Sequence, residues 1–205
     1  MSKVDFKKDL KHLYNPPKSK FTIVDVPAMN FLMIDGHGDP NNNPAFQDIS
    51  DALYGMAYTV KFALKAQGMD YVVPPLEGLW WMENMGEFSL EAKDQWLWTL
   101  MIMQPEWATP EVLEEARATL AHKKNPPALP SLRFETYAEG LSVQIMYVGP
   151  YADEGPTIAR MHAFIEAEGY EPNGKHHEIY LSDPRRTAPE KLKTVIRQPI
   201  RRLTP

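Results

Sequence analysis

The sequence contains no cysteine. That excludes disulfides, thiolate catalysis and cysteine-ligated metals or clusters. It has no unbroken apolar run of the roughly eighteen residues that a membrane-spanning helix needs. The opening stretch MSKVDFKKDLKHLY is charged and lacks the apolar centre of a secretory signal. A basic excess is also missing: 22 Lys and Arg stand against 27 Asp and Glu, for a net charge of −5. Such a chain is a poor match for a phosphate backbone, so no nucleic-acid partner is expected, and no membrane partner either. The expectation is a cytoplasmic, water-soluble protein, with its oligomeric state left open.

Proline, by contrast, is plentiful, with 19 among 205 residues. Pro16-Pro17, Pro74-Pro75 and the run Asn125-Pro126-Pro127-Ala128-Leu129-Pro130 mark boundaries, because proline resists helix interiors and central strands. Residues 1–19 read as an N-terminal arm of one or two helical turns that packs loosely through Val4, Phe6, Leu10, Leu13 and Tyr14.

Beyond the arm the pattern is α+β. Strands are expected at Phe21–Val26 and Asn30–Asp35, followed by the turn-forming loop from His37 to Pro44. Apolar Phe46, Ile49, Leu53, Met56, Ala57, Val60 and Leu64 recur at three and four residues, which predicts a helix from Pro44 to Gln67. Tyr54 and Tyr58 flank its apolar face. Leu76–Met82 and Gln95–Met103 predict a hairpin with a long connection from Glu83 to Asp94. Thr109-Pro110-Glu111 carries an N-cap, a first-position proline and an acid, so a second helix is expected to about Lys124. In the second half, strands are expected at Leu132–Tyr137 and Gly140–Val148. The loop Gly149–Gly155, a helix over Pro156–Glu168 and a last hairpin, His176–Ser182 with Leu192–Ile200, complete the chain.

The two halves therefore repeat one β-α-β-β order with a period near a hundred residues, which argues for duplication. Repeats at about 20–105 and 131–205 would be joined by a helix and a proline-rich connector, 106–130. Pseudo-two-fold symmetry and a ligand cleft between the repeats would follow from the helix-free sheet faces.

The last hairpin carries the chemistry. Alternation puts Glu178 and Tyr180 on one face, with His176 and Ser182, and turns His177, Ile179 and Leu181 to the other. A mid-strand carboxylate needs a partner or a task. In the first half, Glu77, Leu79 and Trp81 share one face while Gly78 and Trp80 share the other. Parity leaves open which tryptophan lines the cleft. Trp96 and Trp98 share a face, and three or four of the set Trp80, Trp81, Trp96, Trp98, Tyr54 and Tyr58 are expected in the core.

The segments PLEGLWW, VGPYADEGPT and HHEIYLSDPRR, with KTVIRQPI at the end, resemble the GyrI-like small-molecule-binding family over about Thr22 to Ile200. The resemblance implies a single duplicated domain over 20–205 that binds flat, aromatic, often cationic molecules around a glutamate and several rings. It also implies a stand-alone branch that hydrolyses cyclopropane-bearing DNA-alkylating compounds, a detoxifying activity. Glu178 then matches the glutamate and Tyr180 the neighbouring phenol, as catalytic residues. Trp80, Trp81, Tyr54, Tyr58, Glu77 and Tyr151 are the candidate ligand-binding residues. The alternatives are a multidrug-binding or sequestering module without chemistry and a gyrase-inhibitor-like protein partner. No helix-turn-helix or coiled coil precedes Thr22 in the sequence, so an activator role is not expected.

A glutamate in an aromatic cleft attracts cations, and the rings add cation–π attraction. The same carboxylate could activate a water, while Tyr180 or another tyrosine donates to a developing oxyanion. The plain alternative for Glu178 is an arginine partner or a sheet-edge position. His176 and His177 point to opposite faces, so they are read as sheet-face or solvent histidines and not as a metal pair. No metal is expected. A haem-binding relative of the fold exists, but no axial histidine aligns here, so no cofactor is expected. Tyr151 is either a cleft-rim residue or a turn residue. Arg185, Arg186, Arg197, Arg201 and Arg202 read as a solvated basic surface.

Overall fold

The computed structural model describes residues 3–84 and 92–203. In chain order it contains helices α1 (Phe6–Asp9) and α2 (Lys11–Tyr14), strands β1 (Thr22–Val26) and β2 (Met29–His37), and helix α3 (Pro44–Ala66). Strands β3 (Leu76–Trp81) and β4 (Leu97–Gln104), helix α4 (Pro110–Lys123), and strands β5 (Arg133–Tyr137) and β6 (Gly140–Val148) follow. Helix α5 (Gly155–Ala167) and strands β7 (Tyr170–Pro172), β8 (His176–Tyr180) and β9 (Lys193–Arg202) end the chain. Most of the expected β3–β4 connection lies outside the described residues. No helix among the described residues is long and apolar enough to cross a membrane.

The chain forms two compact units, one of Met1–Asp9 with Met29–Tyr137 and one of Leu10–Ala28 with Ala138–Pro205. In the first unit the antiparallel strand order is β3-β4-β2-β5. Helix α3 packs on β2, β4 and α4, burying Ile49, Leu53, Met56, Val60 and Leu64 on the side that the three-and-four spacing marks. Asn43 caps α3 by accepting from the Ala45 N–H, and Pro44 takes the first helical position, where its missing N–H is not needed. The β2–β4 register sets Gly36 opposite Trp98. A β-carbon at residue 36 would stand 2.1 Å from the Trp98 ring, so glycine is required there. The Trp98 indole N–H donates to the Gly38 carbonyl at 3.0 Å.

In the second unit the order is β1-β6-β9-β8, with β7 added on β9. Helix α5 seats Met161 and Ile165 on Val143, Ile145, Ile196 and Ile200. In each unit the strand before the long helix pairs with the last strand of the hairpin that follows it, β2 with β4 and β6 with β9. The two short strands do not pair with their neighbours in sequence: β1 pairs with β6, and β5 with β2. The short strand β7 was not anticipated, because Tyr170–Pro172 is too brief to show a period.

Three readings from the sequence are corrected here. Arg197 is not a solvated surface residue but is 1% exposed. Its nitrogens reach Glu139 Oε2 at 3.0 Å, Gln144 Oε1 at 3.1 Å and the Leu13 carbonyl at 2.8 Å. The other Glu139 oxygen lies 2.9 Å from His177 Nδ1, and His177 is buried too, not solvated. The N-terminal arm is likewise no loose attachment, since Leu13 and Tyr14 are buried. The remaining arginines keep to the surface: Arg185 and Arg186 flank Asp183, and Arg201 meets Glu171.

Despite its burial, which opposes ionisation, the charges of His177 and Arg197 hold Glu139 down at about 2. A carboxyl lowered in the folded state stabilises the fold above its ordinary range, and that stabilisation fades as pH falls from about 4.5 towards 2. Arg197→Met strands the Glu139 charge and should cost about 3–5 kcal/mol in urea unfolding at pH 7. The deficit should shrink as pH approaches 2, because protonation then removes the stranded charge.

Candidate functional site

In the second unit, β8 alternates as its spacing dictates. His177 and Ile179 are buried, at 1% and 0% exposure, on one face. Glu178 and Tyr180 share the other, and the Tyr180 hydroxyl donates to Glu178 Oε2 at 2.9 Å. His176 Nε2 stands 3.3 Å from Glu178 Oε1.

The loop between β6 and α5 brings further groups to this face. Gly149 has φ +154°, and a β-carbon there would lie 2.6 Å from the Tyr147 hydroxyl. That hydroxyl donates to the Pro150 carbonyl at 3.0 Å and holds the turn. Tyr151 then meets Tyr180 edge-on, with ring centroids 5.6 Å apart and planes at 78°. Glu154 stands at the head of α5, but its side chain does not cap the helix. It is 3% exposed, and its carboxyl stands beside that of Glu178, near enough for each to act on the other's ionisation. Glu154 Oε1 and Thr194 Oγ1 are buried without a hydrogen-bond partner among the described residues.

This placement sets the electrostatics. Burial first, and then the neighbouring Glu178 charge, push Glu154 up to about 10. The Thr194 hydroxyl beside it acts in the opposite sense without completing a hydrogen bond. Partial desolvation and the nearby His176 lower His162, which lies on the exposed side of α5. Burial, then Glu154 and Asp153, raise Tyr147.

In the first unit the register Trp80↔Trp98 places the Trp80 ring 5.6 Å from Trp96 and 6.2 Å from Trp98. Trp80 is thus part of a buried tryptophan cluster, and its indole lies over Gly78, two residues before it. Trp81 is half-buried and Glu77 fully buried. Tyr54 and Tyr58 stack at 6.5 Å along α3, and Tyr58 continues to Phe62 at 6.4 Å. Tyr58 and Phe62 are exposed.

The GyrI-like small molecule binding domain matches residues 19–201. The chain belongs to the GyrI-like family. A conserved protein of uncharacterised function from Listeria innocua is 45% identical, with a TM-score of 0.90 over 97% of this chain and 100% of that one. A hydrolase from the same organism is also 45% identical, with a TM-score of 0.86 over 98% of this chain and 100% of its own. The EcmrR C-terminal domain shares the fold at 11% identity, with a TM-score of 0.56 over 90% of this chain and 98% of that one. No match appears among the curated proteins.

Within this GyrI-like chain, the structure brings together Glu178, Tyr180 and Tyr151 of the candidates read from the sequence, and separately stacks Tyr54 on Tyr58. Among the described residues, no group of three or more His, Asp and Glu side chains is placed to hold a metal ion. Sequence reasoning missed Glu154. The available signal was an acid immediately before the Gly155-Pro156 helix start, a position that reads by default as a helix-dipole acid.

A carboxyl raised in the folded state binds a proton that the unfolded chain releases. Its cost is absent below about pH 4.5 and grows as pH rises towards 10. Glu154→Gln removes that cost. The variant should match the parent at pH 4 and exceed its unfolding free energy at pH 8 by at least about 1 kcal/mol, measured by urea titration.

Proposed function

We propose that this protein is a hydrolase of duplicated β-α-β-β plan. In the ligand cleft that the family resemblance implies, it binds flat aromatic, often cationic molecules and adds water to cyclopropane-bearing DNA-alkylating compounds, a detoxifying activity. The observation that carries this reading is the Glu178–Tyr180 pair: a carboxylate held on a strand by a phenol at 2.9 Å, beside a second carboxyl. The 45% identity to a hydrolase over nearly the whole chain supports it.

Glu178 is the base in this reading. Water held against its carboxylate is oriented and loses its proton as oxygen attacks the strained ring carbon. The ring C–C bond breaks, and its electron pair passes through the conjugated system to the carbonyl oxygen. Donors aimed at that oxygen lower the barrier. In the resting site the Tyr180 hydrogen is committed to Glu178, which fixes the carboxylate's orientation. Tyr151, edge-on to Tyr180, offers a ring for a flat ligand, and Trp80, Trp81, Tyr54, Tyr58 and Glu77 are the proposed binding residues of the first unit.

The test is to incubate the protein with a conjugated cyclopropane electrophile and follow the water adduct by mass spectrometry. Glu178→Gln should keep binding of this uncharged electrophile, read by ligand fluorescence, and lose at least about a hundredfold in turnover. Tyr180→Phe should lose about tenfold. Full turnover in Glu178→Gln would overturn the assignment. Binding without turnover in the parent protein would leave the non-catalytic, sequestering role that the family's small-molecule binding favours.

A further inference from the structure

Glu154 is a buried carboxyl that the proposed reaction does not use. Its carboxyl stands beside that of Glu178, and the two cannot both be ionised cheaply in a site shielded from water. Their surroundings differ. Glu178 has the Tyr180 hydroxyl on one oxygen at 2.9 Å and His176 Nε2 at 3.3 Å from the other. Glu154 Oε1 has no donor among the described residues, and the Thr194 hydroxyl beside it is unengaged. The remaining titratable neighbours are Asp153 next to it in sequence and Tyr147 on β6; neither brings a positive charge. Ionised, Glu154 would be a buried charge with an unsatisfied oxygen. Protonated, it has one hydrogen to give, and of the two acceptors beside it, the Thr194 hydroxyl and the Glu178 carboxylate, the charged one is the stronger.

We propose that Glu154 is a positioning residue: a neutral carboxylic acid that donates its hydrogen to Glu178 and keeps Glu178 an oriented carboxylate at neutral pH. The strong upward push on Glu154 agrees with that assignment. The proposal rests on Glu178 being the working carboxylate of the site. Its consequence is that the site carries one negative charge, shared by two glutamates, and suits a singly charged organic cation. With the donor removed, Glu178 becomes easier to protonate and the site loses its charge at a higher pH.

The affinity for a planar cationic acridine dye, measured by fluorescence between pH 4 and 9, tests this. In the parent protein, affinity should fall on the acid side as the site is neutralised. Glu178→Gln should abolish the pH dependence and weaken binding by at least about thirtyfold. Glu154→Leu should move the acid midpoint up by about one pH unit, about a tenfold loss at the parent's midpoint. Glu154→Gln keeps a neutral donor and should bring the midpoint back.

If Glu154→Leu and Glu154→Gln weaken binding equally at every pH without moving the midpoint, Glu154 is only structural and the proposal is overturned. The infrared carbonyl band of a protonated carboxylic acid at pH 8, absent from Glu154→Gln, is the ligand-free arm. Should the parent protein fail to bind the dye, the cation-binding reading falls and this band decides. Its absence from the parent protein overturns the proposal.

Discussion

The second unit is built around the ion pair between Arg197 and Glu139. Taking two charges out of water costs several kcal/mol for each ion, and only complete hydrogen bonding offsets that cost. Here Arg197 divides its nitrogens among Glu139, Gln144 and the Leu13 carbonyl, and Glu139 uses both oxygens, on Arg197 and His177. Gln144 in turn donates to the His12 carbonyl at 2.7 Å. One network thereby ties helix α2, the residue before β6, and strands β6, β8 and β9. A one-residue slip of β8 would remove His177 from Glu139, so the pair also sets the register of the strand.

That register decides the face on which Glu178 stands. His177 is locked inward by its contact with Glu139, and Glu178, the next residue, must look the other way. The two carboxyl environments on either side of β8 are opposites. Glu139 is paired with cations and driven down to about 2, whereas Glu154 meets another acid and is driven up to about 10. The first arrangement stabilises the fold. The second destabilises it at neutral pH, and a carboxyl kept at such a cost is the kind of group that function explains.

In the first unit the aromatic residues are held by packing. Trp98 fits only because residue 36 has no side chain, and Trp80 folds over Gly78. Trp80, Trp96 and Trp98 then form one cluster, with ring centroids about 6 Å apart, the range in which edge-to-face contacts are favourable. Trp81 escapes that cluster only because consecutive strand residues point opposite ways. Parity had left the two tryptophans equivalent, and the cross-strand partner Trp98 separates them.

Local chemistry was legible in the sequence. Period-three-and-four spacing set helix α3. Asn43 with Pro44, and Thr109 with Pro110, marked the starts of α3 and α4, because orphan backbone N–H groups at a helix start need acceptors within a few residues. Period-two alternation put Glu178 and Tyr180 on one face of β8, and the hydrogen bond between them follows from that. Tertiary structure decided what depends on partners distant in the chain. Strands β1 and β5 carry no mark of which strand they pair with, since any strand edge presents the same backbone groups. Arg197 reads as a surface cation until Glu139 is brought to it, 58 residues away in sequence. Glu154 reads as an ordinary helix-start acid until the fold buries it against Glu178, because a carboxyl's charge is a property of its surroundings and not of its position in the chain.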